Sequence, residues 1–151
     1  MDENYSLSPN VAAERFWQRV PGYIRWTFIM AVVMGLATHM YAFTNDLLNH
    51  DDIYHLLQCE YGAQSGRWFL PTVLSWDGSY SMPWLIGALS VLCLALTACF
   101  TVSLLRIRGR LGALVTVTLL VAYPTVAATF TYMFTADAYF FGLFLASFAA
   151  Y

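Results

Sequence analysis

Three long apolar stretches separated by two very unequal polar connections organise the chain. Trp26 to Phe43 and Pro83 to Leu105 are broken only by His39, and Leu111 to Phe134 carries no charge. Each is close to the ~20 residues that cross ~30 Å of hydrocarbon as a helix. A fourth run opens at Ala138 and is still apolar at Tyr151. Its roughly 14 residues, at ~1.5 Å each, reach about 21 Å, so an incomplete span is expected there. The pattern predicts an all-α, multi-pass transmembrane protein. A segment 1–22 is followed by a transmembrane region 23–151 with spans at about 24–44, 83–105, 111–134 and 138–151. Pro124, inside the third run, is expected to kink or break it.

Composition agrees with a membrane solvent. The chain is 60% hydrophobic and 11% charged, against roughly 25% charged in soluble domains. A net charge of -2 leaves no footprint for nucleic acid. Cys59, Cys93 and Cys99 have no metal-ligand spacing, and the two within the second span read as small packing residues. The N-terminus lacks a cleavage pattern, so the first span reads as an uncleaved anchor.

All seven basic residues are arginines. Arg15, Arg19 and Arg25 precede the first span, and Arg106, Arg108 and Arg110 separate the second from the third. The positive-inside rule makes both places, and the N-terminus, cytoplasmic. Phe16, Trp17 and Val20 alternate with Arg15 and Arg19 as in a short helix lying on the membrane surface. The long connection 45–82 then faces the opposite side, as does a short connection read at Thr135-Ala136-Asp137. That side carries Asp46, Asp51, Asp52, Glu60, Asp77 and Asp137 against one arginine, Arg67.

The long outer loop holds the candidate chemistry. Asn49 or Asp51 can cap a short amphipathic helix, with Ile53, Leu56, Leu57 and Tyr61 at helical spacing and Gly62 ending it. Asp51 and Asp52 then fall in its first turn, and His55 shares a face with Asp51. These carboxylates suit a general base, a metal ligand or simply a helix cap. Asn49, His50, Tyr54 and His55 crowd around them. The dense polar cluster beside a lipid surface is what singles it out as a site.

No dedicated transition-metal spacing is present, but a divalent ion such as Mg2+ or Mn2+ could bridge Asp51 or Asp52 and a phosphate-bearing substrate. Arg67 departs from the positive-inside trend, and its planar fork suits phosphate, a salt bridge to Asp51, Asp52 or Glu60 or a lipid-headgroup contact being the alternative. Ser65 to Pro71 reads as a turn followed by apolar anchoring residues, Trp68 among them. Asp137 stands where it can face the same cavity. His39 reads as hydrated near the interface or bonded to a neighbouring helix, with a proton relay as the alternative.

Three runs in this order, Asn49-His50-Asp51-Asp52-Ile53-Tyr54, Ser65-Gly66-Arg67-Trp68 and Phe134-Thr135-Ala136-Asp137-Ala138-Tyr139, resemble the N-terminal part of the bacterial O-antigen glucosyltransferase II family. These are membrane transferases of the GT-C type. The resemblance implies transfer of a hexose, typically glucose, from a polyprenyl-phosphate donor to a lipopolysaccharide O-antigen or similar cell-surface glycan. It places the chain in a bacterial inner membrane, with the loop periplasmic. It puts the base on the acceptor hydroxyl at Asp51 or Asp52. Arg67 and His55 then fall to the donor phosphate, with Asn49, His50, Tyr54, Trp68 and Asp137 nearby. Family members are several hundred residues long, so the chain reads as a truncated N-terminal portion. Alternatives from other classes are a small four-span flippase or accessory protein for lipid-linked sugar, and a non-catalytic membrane subunit.

Overall fold

A computed structural model describes residues 8–45, 66–75 and 82–151, and among these there is no strand. Among the described residues seven helices follow in order: α1 (Pro9–Arg19), α2 (Gly22–Thr44), α3 (Leu70–Leu74), α4 (Pro83–Leu104), α5 (Arg110–Val121), α6 (Pro124–Thr129) and α7 (Met133–Ala150). Proline stands at the start of α1, α4 and α6, where the amide it lacks would have no helical partner. Gly22–Thr44, Pro83–Leu104, Arg110–Thr129 and Met133–Ala150 are each long and apolar enough to cross a membrane. The protein is a multi-pass helical membrane protein.

Apolar residues occupy both faces of α2, and spacing decides which turns inward. Thr27, Ala31, Gly35, His39 and Phe43 recur every fourth position and are buried. Ile29, Val33, Leu36 and Met40 lie on the outer side and are exposed. That outer face has the composition lipid requires, since an apolar side chain facing acyl chains costs nothing. Helix α4 is the hub: it packs against α2, α5 and α7. Its inward positions include Gly87, Ser90, Ala95 and Ala98, small residues that let helix backbones approach where no hydrophobic force draws them together. At Gly87 an added Cβ would sit 2.5 Å from Cδ1 of Phe43, so the α2–α4 crossing requires glycine there.

The third span is two helices. Pro124 has no N–H for the carbonyl of Leu120, and its ring crowds that carbonyl, so α5 stops at Val121 and α6 restarts at Pro124. The break predicted there is present. The fourth span differs from the pattern-based reading: α7 begins at Met133, five residues earlier than Ala138, and runs for 18 residues. Thr135, Ala136 and Asp137, read as a connection, lie inside it and are buried. Hydropathy misplaced the boundary because it treats Asp137 as polar loop. Its Oδ1 accepts a hydrogen bond from the Ala138 N–H at 2.8 Å within the helix.

At the arginine-rich end, α4 closes in a two-bond cap. The Ile107 N–H donates to the Val102 carbonyl at 2.9 Å and the Arg106 N–H to the Ser103 carbonyl at 3.1 Å. Arg106 adopts a left-handed φ of 56° to make it, the conformation such caps require and glycine usually supplies.

Candidate site at the Arg67–Tyr139 junction

Residues 66–75 bring one cation to the side of the bundle. Gly66 has φ of 80°, a left-handed value that allows the chain to turn into the segment carrying Arg67. Leu70-Pro71-Thr72-Val73-Leu74 then forms α3, a single turn whose Val73 and Leu74 are buried and which rests on α7. Trp68 is exposed and meets Phe69 edge-on with ring centroids 5.6 Å apart. An exposed indole, apolar in its body and polar at its N–H, is the kind of side chain found at membrane interfaces.

Arg67 Nη1 donates to the Tyr139 hydroxyl of α7 at 3.5 Å. Two grooves meet at this pair. One, of about 420 Å³, runs between the 66–73 segment and α7 and is walled by Phe69, Leu70, Val73, Phe141 and Leu145. The other, of about 600 Å³, runs between α6 and α7 past Val126, Thr129, Tyr132, Thr135 and Leu143. Arg67 and Tyr139 line both. A guanidinium with four further N–H donors, standing at the junction of two apolar channels, suits an anion that carries an apolar tail.

Tyr139 is the residue that sequence reasoning passed over as a site. It lay within the quoted Thr-Ala-Asp-Ala-Tyr run, two positions after Asp137. Asp137 itself is 4% exposed, on the inward side of α7, whereas Tyr139 is half exposed and turned toward Arg67. The structure therefore groups Arg67 with Tyr139 through a hydrogen bond and sets Asp137 behind them in the packed bundle. Asn49, His50, Asp51, Asp52, Tyr54 and His55, with the helix expected to carry them, lie outside the described residues. Among the described residues no group of three His, Cys, Asp or Glu is placed to hold a metal.

His39 supports the same end of the bundle. Its Nε2 lies 2.8 Å from the Val121 carbonyl across the α2–α5 interface. With Nε2 carrying the hydrogen, it donates to a carbonyl left without a helical partner where α5 breaks before Pro124. The ring also packs on Phe130, centroids 4.5 Å apart, and Phe130 packs on Phe140 of α7 at 5.0 Å. His39 is thus bonded to a neighbouring helix, one of the readings its position allowed. Through Phe130 and Phe140 it steadies the helix that bears Tyr139.

Searches of curated proteins and of solved structures each found no significant match. The family model described as glucosyl transferase GtrII matches residues 40–151, a region that contains Arg67, Tyr139, Asp137 and the loop acids. The chain therefore belongs to the GtrII glucosyl transferase family.

Proposed function

We propose that this chain carries the donor-phosphate part of a GT-C type glucosyltransferase using a polyprenyl-phosphate sugar, and that Arg67 holds the phosphate. The observation that carries the reading is the Arg67–Tyr139 pair at the meeting point of two apolar grooves. A lipid-linked donor presents its phosphate at the membrane surface while its tail stays in hydrocarbon. A cation with apolar channels leading away from it matches both halves. In this account the loop lies on the periplasmic side of a bacterial inner membrane, opposite the six clustered arginines. The acceptor is an O-antigen or similar surface glycan.

The reaction needs a base and a stabilised leaving group. Asp51 or Asp52 removes the proton from an acceptor sugar hydroxyl, and the oxygen attacks the anomeric carbon as the bond to phosphate breaks. Negative charge grows on the departing phosphate, and the Arg67 fork meets it with paired hydrogen bonds. Tyr139 donates or accepts at the same point and keeps the guanidinium turned into the grooves. His55, Asn49, His50, Tyr54 and Trp68 complete the surroundings of the sugar phosphate.

The test is the double substitution Asp51→Asn with Asp52→Asn, in cells whose O-antigen glucosylation depends on the gene. Loss of a general base costs on the order of 10²–10⁴-fold in rate. The expected outcome is normal amounts of protein in the membrane and glucosylation reduced at least about 100-fold. Near-normal glucosylation would remove the base from both residues.

A further inference from the structure

At the arginine-rich end of the bundle, the opposite end from Arg67, a groove of about 820 Å³ opens between α1, α2 and α4. It falls within the roughly 300–1,000 Å³ range of small-molecule sites. Trp17, Phe28, Leu92, Leu96 and Phe100 wall it, and Arg25 lines it at the first turn of α2. Helix α1 forms its lid at the surface: Trp17 meets Phe28 edge-on with centroids 6.2 Å apart, and no residue of α1 is buried.

Two observations show what sort of molecule fits this groove. The Arg25 Nε is shut off from solvent yet has no hydrogen-bond partner among the described residues. An N–H that no water can touch is equally closed to a phosphate oxygen, so an acceptor from outside would meet the terminal N–H groups of the same part-exposed guanidinium, which lines the groove. The second is charge: Arg15, Arg19 and Arg25 face this end, and among residues 8–45 the sole acid is Glu14, which already accepts a hydrogen bond from Gln18 at 3.4 Å. An apolar cleft topped by positive charge that no carboxylate of residues 8–45 neutralises, save Glu14, is complementary to an acidic headgroup with an acyl chain.

We propose that this groove holds one anionic phospholipid of the arginine-side leaflet, its phosphate on Arg25 and an acyl chain against Phe28, Leu92 and Phe100. The lipid also fastens α1 to the bundle, because Trp17 closes over the chain. This site is separate from the Arg67 junction and does not depend on the assignment of function there.

The experiment is native mass spectrometry of the purified chain in detergent, titrated with dioleoyl phosphatidylglycerol and, separately, with dioleoyl phosphatidylcholine. The expected result is one saturable phosphatidylglycerol, held at least about tenfold more tightly than phosphatidylcholine, the scale of a charge-assisted pair. Arg25→Gln should erase that preference, Arg25→Lys should keep part of it, and Arg110→Gln, at the same end but outside the groove, should keep all of it. Leu92→Trp fills the cleft and should weaken binding of both lipids. Equal affinity for the two lipids overturns the proposal. So does equal loss from Arg25→Gln and Arg110→Gln, which would mean diffuse attraction. Unchanged binding in Leu92→Trp would place the acyl chain elsewhere and also overturn it. Should Arg25→Gln fail to retain helical circular dichroism, the Arg25→Lys and Leu92→Trp results still decide.

Discussion

Replacing Gly87 by Ala should loosen the end of the bundle where α2 ends and α4 begins. The new Cβ would lie 2.5, 2.6 and 2.7 Å from Cδ1, Cγ and Cε1 of Phe43, where carbon atoms prefer about 3.5–4.0 Å. The ring must therefore retreat by roughly 1 Å. It has little room, being 3% exposed and packed edge-on against Phe130 with centroids 5.2 Å apart. Phe130 in turn rests on His39, whose bond to the Val121 carbonyl would be strained. Overpacking of this kind costs about 1–3 kcal/mol, and we place Gly87→Ala near 2 kcal/mol, roughly a 30-fold shift toward the unfolded state. The assay is equilibrium unfolding in mixed micelles, followed by helical circular dichroism, for wild type, Gly87→Ala and Gly87→Ala with Phe43→Leu. The double variant should recover at least half of the loss, since the smaller side chain vacates the contested space. A single variant as stable as wild type would refute the close α2–α4 crossing and with it the packing that positions α7.

Two further outcomes follow from the same framework. His39→Phe keeps a ring against Phe130 but removes the donor to Val121, so the same unfolding assay should read a loss of about 1 kcal/mol, and no change would show that the 2.8 Å contact contributes nothing. A reporter active only outside the cytoplasm should be active when fused after Gly62 and silent when fused after Arg108; the reverse pattern would put Arg67 and the loop acids on the cytoplasmic side.

The number of spans and the break at Pro124 could be read from the sequence because lipid enforces them. A ~20-residue apolar run has few alternatives to a membrane helix, and proline cannot continue one undisturbed. The start of α7 was not legible. A buried Asp137 looks like a loop residue to any hydropathy reading, and its accommodation depends on neighbours that sequence order does not reveal. Arg67 stood out as a site because it breaks the charge asymmetry. Its partner Tyr139 did not, since the chain separates them by 72 positions and a lone tyrosine in an apolar run is an ordinary interfacial residue. His39 allowed several readings; the bonded one needed the carbonyl of Val121 at the end of α5, brought within 2.8 Å only by the packing of α2 on α5. The groove at Arg25 was likewise invisible, as it exists only once Trp17 of α1 meets Phe28 of α2 beside α4.

In the proposed reaction the Arg67 guanidinium grips the phosphate of a lipid-linked sugar, and Arg67→Lys isolates that grip because it keeps the charge and removes the paired fork. Losing one charge-assisted bond of a bidentate contact is worth about 1–3 kcal/mol, or roughly 5- to 150-fold in rate. A surface contact without phosphate would lose less than about 1 kcal/mol. The measurement is the initial rate of labelled glucose transfer from polyprenyl-phosphate glucose in membranes containing equal amounts of wild-type and Arg67→Lys protein. Transfer should be at least about tenfold slower in the variant, with unchanged insertion. Equal rates would contradict it and show that the leaving phosphate is held by other residues.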